Sequence, residues 1–233
     1  MTWCSMRNLL LVSFALFLGC ANAAEPKAEP KAQPKADPFA GWEKEITGIE
    51  KRLKDKPPET GGIVFAGGST IRMWDVAKAF PKLPVVNVGF GGSTVPDVTH
   101  FTSRLILPLA PKTIVYYTGD NDLAKGATPE KVGDDFATFV KLIHEKLPKT
   151  KILFVSVKPS PRRWALFDKQ TKANALVKEL IGKDELLAYV DVVPGMLGKD
   201  GKPIPDQFVK DELHLSEKGY EVWTAVLSKV LEK

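Results

Sequence analysis

Near its C-terminal end the chain reads Asp211-Glu212-Leu213-His214, a carboxylate three residues before an imidazole. An acid in that position can fix the tautomer and orientation of the ring, and a ring so held can take a proton from a hydroxyl. Suitable hydroxyls occur twice, because Gly-Gly-Ser-Thr stands at residues 67–70 and again at 91–94. Gly119-Asp120-Asn121-Asp122 adds an asparagine whose side-chain amide is a donor. A serine, an Asp-x-x-His pair, glycine-rich loops with backbone N–H groups and an asparagine amide are together the parts of acyl transfer. In that chemistry the serine attacks a carbonyl, His214 takes and returns its proton, and Asp211 orients the imidazole. Donors from Ser69, Gly92 and Asn121 hold the developing oxyanion. Each part also has a plain structural reading. The two Gly-Gly-Ser-Thr stretches suit tight strand-to-helix turns, Asn121 suits a turn, and Asp120 and Asp122 suit helix caps. Arg72 and Trp74 suit either a pocket wall or helix packing. His100 and His144 fall within amphipathic stretches and read as packing or surface residues.

These residues need a frame that brings distant loops together. Five runs rich in β-branched and aromatic residues recur at 62–66, 85–89, 113–117, 151–156 and 187–191 and read as buried strands. Helical patterns lie between and around them. A helix is expected over 42–53, Phe136, Val140, Ile143 and Leu147 mark another, and Trp223, Leu227 and Val230 give the last helix its apolar face. Strand and helix in alternation predict a parallel sheet covered on both faces, a three-layer α/β/α sandwich of flavodoxin-like architecture with right-handed crossovers. In such a sheet the working residues lie beyond the carboxyl ends of the strands, where Ser69, Gly92, Asn121 and the loop 158–162 fall. The expected strand order 2-1-3-4-5 also separates the two serines. Ser69 follows an internal strand beside the one that leads to Asn121, whereas Ser93 follows an outer strand.

With 233 residues, 44% hydrophobic and 26% charged, the chain can bury one sizeable core. Lys and Arg exceed Asp and Glu only by 33 to 28, with no clustered basic stripe, so no nucleic-acid partner is expected. Both cysteines, Cys4 and Cys20, lie in the first twenty residues, so the body holds no thiol nucleophile, disulfide or thiolate metal site. No Gly-Lys-Ser or Gly-Lys-Thr phosphate loop and no His-Glu-x-x-His occurs, and neither serine loop has the closing glycine of a Gly-x-Ser-x-Gly elbow. No nucleotide or metal cofactor is expected, and the common α/β-hydrolase elbow is excluded.

Arg7, an apolar stretch over 9–18 and the small residues that follow have the layout of a secretory signal peptide over residues 1–23, which predicts export to a periplasm or the medium. Ala21-Asn22-Ala23 offers a cleavage site. The alternative is a lipoprotein anchored at an acylated Cys20, since Phe17-Leu18-Gly19-Cys20 resembles a lipoprotein box. Residues 24–38 repeat a Pro-Lys-Ala unit with proline at every fourth position, which blocks helix and predicts an extended spacer ahead of a domain at 39–233.

The ordered blocks resemble the SGNH or GDSL hydrolase family over about residues 61–231. Gly67-Gly68-Ser69 stands for the serine block, the stretch 87–92 for the glycine block, Gly119-Asp120-Asn121-Asp122 for the asparagine block, and Asp211-Glu212-Leu213-His214 for the last. The resemblance implies a cofactor-free serine esterase with Ser69, Asp211 and His214 as its triad. Members similar to platelet-activating-factor acetylhydrolases and bacterial acetylesterases are nearest in kind, which favours short acyl groups, acetyl above all, including acetyl on carbohydrate. One departure stands out: the family's usual Gly-Asp-Ser reads Gly-Gly-Ser, with Gly68 in place of the acid. That departure is the support for the alternative, a carbohydrate-binding or surface module that kept the fold without the activity.

Overall fold

The β-branched and aromatic runs form five strands: β1 (Ile63–Gly67), β2 (Val85–Asn87), β3 (Thr113–Tyr117), β4 (Lys151–Val155) and β5 (Leu187–Val190). A computed structural model describes residues 37–182 and 184–232. In it the strands pair in the order β2-β1-β3-β4-β5, every neighbour parallel, as the sequence predicts. Gly67 at the end of β1 stands opposite Tyr117 at the end of β3, so the loops leaving these two strands start side by side.

Side chains alternate across the sheet with a period of two. Val64, Ala66, Ile114, Tyr116, Ile152 and Phe154 point to one face. They are covered by α1 (Glu43–Asp55), α4 (Val95–His100), α5 (Thr102–Leu105), α6 (Asp120–Ala124), α7 (Pro129–Lys146) and α8 (Phe167–Ile181). Phe65, Val115, Tyr117, Leu153 and Val155 point to the other. That face is covered by α2 (Ser69–Arg72), α3 (Val76–Ala79) and α9 (Glu217–Leu231). A sheet buried on both faces requires near-continuous apolar strands, as these are. The helix marked by Phe136, Val140, Ile143 and Leu147 is α7, with Thr128 capping its first turn and Pro129 at its start.

β3 spans the expected 113–117, and the other strands differ from expectation by one or two residues at an end. The second run stops at Asn87, not 89, because the Asn87 side chain turns the chain there: its amide donates to the carbonyls of Ile71 and Trp74, and its oxygen accepts the Gly89 N–H. The expected helix over 42–53 is α1, entered by a single 3-10 turn at Ala40–Trp42. The signal peptide, Cys20 and nearly all of the proline spacer lie outside the described residues. Among the described residues no helix is long and apolar enough to cross a membrane.

Candidate active site

Ser69 opens α2 directly after β1, and the turn that places it is one only glycine can make. Gly67 has φ of +146°, and a Cβ there would lie 1.9 Å from the Tyr117 carbonyl oxygen. The chain therefore leaves β1 pressed against the end of β3. Gly68 is extended (φ −79°, ψ −161°) and its N–H donates to Tyr117 O at 3.2 Å. The Ser69 hydroxyl does not cap the helix, whose N-cap is Gly68. It lies 2.8 Å from His214 Nε2.

His214 reaches that hydroxyl from a loop closed on itself. Phe208 and Leu215 form an antiparallel bridge, and the Val209 N–H donates to His214 O at 2.9 Å. Glu212 takes a left-handed conformation (φ +59°) inside the turn. Ser216 then caps α9, accepting from Gly219 N–H, and its own hydroxyl donates to Asp206 O at 2.7 Å. The imidazole is thus fixed two residues ahead of a capped helix.

Asp211 completes the chain of bonds. Its Oδ2 lies 2.6 Å from His214 Nδ1, and its Oδ1 accepts the N–H groups of Leu213 and His214, each at 2.9 Å. Burial pushes this carboxyl up, but the His214 ring and the two N–H donors outweigh it and hold the acid well below the ordinary carboxylate range. An ionised carboxylate only accepts, so Nδ1 carries the ring proton and Nε2 is left bare, facing the Ser69 hydroxyl.

The loops after β2 and β3 meet beside this group. Asn121 Nδ2 donates to Ser93 O at 3.0 Å, joining the two loops. A Cβ on Gly68 would lie 3.1 Å from that same Nδ2, so the amide stands against the residue preceding Ser69. A side chain at position 68 would need Asn121 to give by a few tenths of an ångström. Gly92 has φ of +76°, a conformation in which its N–H is turned by the backbone itself. The N–H groups of Ser69 and Gly92 take no acceptor among the described residues. Ser93 is different: its hydroxyl is buried and donates to Phe90 O at 2.9 Å, so it is a structural hydroxyl.

Among the neighbours named from sequence, Trp74 is buried against Phe65, Phe80, Tyr220 and Trp223 and packs α2 to α9. Arg72 pairs with Glu45 at 3.5 Å. His100 is a surface residue stacked on Phe39, and the half-buried His144 has its Nε2 3.1 Å from Thr150 O, so neither belongs to the site. Asp122 is a cap, as its plain reading holds: its oxygens accept Gly119 N–H and Val95 N–H. Asp120 is not. It pairs with Arg163 at 2.8 Å and faces the buried Lys158 at 3.8 Å. Lys158 Nζ donates to Leu213 O at 2.7 Å, and the Arg162 N–H donates to Glu212 O at 3.1 Å, so the loop after β4 holds the Asp-His loop. Lys158 and Arg163 are not among the site residues that the sequence singles out. The signal open to the sequence is only their place at a strand end. Among the described residues no three His, Cys, Asp or Glu side chains gather closely enough to hold a metal ion.

Known proteins share the family pattern and the fold. The family model of GDSL-like Lipase/Acylhydrolase proteins matches residues 64–222. A Streptococcus pneumonia protein named for platelet activating factor superposes with TM-score 0.74 at 19% identity, over 83% of this chain and 94% of that one. A GDSL-like lipase from Bacteroides thetaiotaomicron gives TM-score 0.64 at 20% identity, over 84% and 97%. An acetyl-xylooligosaccharide esterase from Geobacillus Stearmophilus, solved as a mutant, gives 0.61 at 15%, over 75% and 96%. No curated protein matches the chain at a significant level. The structural likenesses, at such identities, concern the fold, while the family match covers the loops that carry Ser69, Gly92, Asn121, Asp211 and His214. The chain belongs to the GDSL-like lipase/acylhydrolase family and is a carboxylic ester hydrolase.

Proposed function

We propose that the chain cleaves short-chain esters, acetyl esters first among them, through an acyl-enzyme formed on Ser69. The observation that carries the reading is the unbroken chain from Ser69 Oγ to His214 Nε2 at 2.8 Å and from His214 Nδ1 to Asp211 at 2.6 Å. With Nε2 unprotonated, His214 takes the Ser69 proton as Oγ attacks the ester carbonyl, and the carbonyl oxygen becomes an oxyanion. The N–H groups of Ser69 and Gly92 and the Asn121 amide are its donors. His214 then returns the proton to the leaving alcohol. Water, activated by the same nitrogen, releases the acid and frees the serine.

The neighbourhood favours a small acyl group. The loops that meet beside Ser69 carry polar or charged side chains: Asn121, held by Arg163, and Lys125, whose ammonium donates to Gly92 O at 3.1 Å. An apolar groove beside the Asp-His loop is walled by Met73, Val209, Leu215 and Tyr220, but neither Ser69 nor His214 lines it, so it does not extend the acyl position. The alcohol portion we place among sugars, in keeping with the esterase of acetylated xylooligosaccharides that shares the fold. Export through residues 1–23 would put the enzyme where such polymers are met, and N-terminal sequencing of the mature protein tests that part.

Initial rates on 4-nitrophenyl acetate, butyrate and octanoate test the acyl claim. Rates should fall steadily with chain length, and a preference for octanoate would overturn it. Release of acetate from acetylated xylooligosaccharide, compared with an acetylated amino sugar, tests the alcohol.

A further inference from the structure

Asn121 has a side-chain amide with one acceptor oxygen and two N–H donors, and two of these three positions are filled by the protein. One N–H donates to Ser93 O at 3.0 Å, and the oxygen accepts from Arg163 Nη2 at 3.1 Å. This leaves a single N–H, and Arg163 and the Ser93 carbonyl together decide which end of the amide is nitrogen at that place. Were the amide turned over, its NH2 would face a guanidinium, and its oxygen would face both the Ser93 carbonyl and the developing oxyanion.

Arg163 is itself held. Its Nη1 lies 2.8 Å from Asp120 Oδ1, its side chain is 18% exposed, and Asp120 is 9% exposed. Asp120 meets a second basic side chain, Lys158, which has no exposure at all and lies 3.8 Å away. Gln170 Nε2 donates to Asp120 at 3.3 Å. Two basic side chains thus share one carboxylate; burial lowers the pKa of Lys158, and the Arg163 guanidinium is the permanent positive charge of the group. In a site largely closed to water a charge of that sign acts strongly on its neighbours.

We propose that Arg163 is a positioning residue that acts through Asn121: it fixes the amide with its remaining N–H toward the oxyanion and, by bonding to the amide oxygen as a cation, makes that N–H a stronger donor. The inference rests on the assignment of Asn121 to the oxyanion hole given above. Its effect belongs to the transition state, where negative charge forms on the substrate oxygen, and so should appear in kcat and not in KM. Lysine is no substitute, because an ammonium is a point charge and cannot set one nitrogen in ion-pair contact with Asp120 while a second donates to the Asn121 oxygen.

The test is a double-mutant cycle on aryl acetate hydrolysis with Arg163→Met, Asn121→Ala and the two combined, alongside Ser69→Ala. Arg163→Met should lower kcat roughly 10- to 100-fold with KM within about twofold, by the scale of a weakened oxyanion donor. In the Asn121→Ala background the same change should cost less than about threefold. Folding is followed by circular dichroism; Asp120 keeps Lys158 and Gln170 as partners in the variant, and Arg163→Lys serves as a second probe, expected to fall with Arg163→Met. Equal losses in both backgrounds, or an Arg163→Lys enzyme with full kcat, would overturn the inference while leaving the triad reading intact. A fully active Ser69→Ala or Asn121→Ala enzyme would remove the reading on which it stands.

Discussion

On the proposed mechanism, replacing Asp211 by Asn exchanges one oxygen for NH2 and reverses the direction of the bonds by which His214 would act as a base. The native carboxylate accepts from Nδ1 at 2.6 Å and so leaves Nε2 free to accept from Ser69 at 2.8 Å. The Asn oxygen can keep the two backbone donors now held by Oδ1, those of Leu213 and His214, which places NH2 against Nδ1. Nδ1 must then accept, the ring proton moves to Nε2, and Nε2 points a hydrogen at the serine instead of a lone pair. The lost charge adds to this. Two unit charges about 4 Å apart interact by about 1 kcal/mol in water and about 4 kcal/mol at an effective dielectric of 20. The Asp211 side chain is 45% exposed, so the pair lies between these limits. Loss of imidazolium stabilisation alone thus amounts to roughly 5- to 10³-fold, and the wrong tautomer brings the expected fall in kcat to about 10²- to 10⁴-fold. KM should change by less than about threefold, since the bare substrate does not touch Asp211. Steady-state kinetics on 4-nitrophenyl acetate, with thermal unfolding as a control on folding, measure both. A kcat within threefold of the native value in a folded Asp211→Asn enzyme would refute the orienting role.

Other expectations follow from the same geometry. Ser93→Ala removes a buried bond to Phe90 O at 2.9 Å and should cost about 1 to 2 kcal/mol of stability in urea unfolding, with kcat within about threefold. A loss of activity comparable to Ser69→Ala would exchange the roles of the two serines. Gly92→Val places a β-branched residue at φ +76° and should lower kcat at least roughly 10²-fold by moving an oxyanion donor; unchanged kinetics would remove Gly92 from the hole. Burial pushes the Asp122 carboxyl up to about 6 from 3.8, so the folded chain keeps this proton to higher pH than the unfolded chain. Its contribution is therefore fully present below about pH 4 and is lost as pH rises through about 6, a change of about 3 kcal/mol. Asp122→Asn should flatten the stability profile between pH 4 and 7 by that order; an unaltered slope in the variant would contradict the buried-acid account.

Much of the fold and of the site is legible in the amino-acid sequence, and for a physical reason in each case. The strands are readable because a sheet buried on both faces leaves their interiors dominated by β-branched and aromatic residues, as in the run of Thr113–Tyr117. Ser69, Asn121 and the Asp-His pair are readable because they sit directly beyond strand ends or within three residues of each other, where local chemistry limits the alternatives. Lys158 and Arg163 are not, since nothing in a loop sequence says that an ammonium will close onto Leu213, 55 residues on, or a guanidinium onto Asn121, 42 residues back. The short helices α2 to α5 escape for another reason: single turns of four to six residues carry too few positions for an apolar period to show. Asn87 ends its strand early through three side-chain bonds to neighbouring backbone, which composition cannot display.

The central claim is that Ser69 is the nucleophile, activated by His214, and covalent titration tests it most directly. The enzyme is treated with an aryl alkylphosphonate, the released phenol is counted against remaining esterase activity, and the modified peptide is located by mass spectrometry. Activity should vanish as one equivalent of phenol appears, with the phosphonyl group on Ser69, and His214→Ala should label far more slowly. Label on Ser93, or an enzyme that stays fully active with no serine modified, would contradict the account.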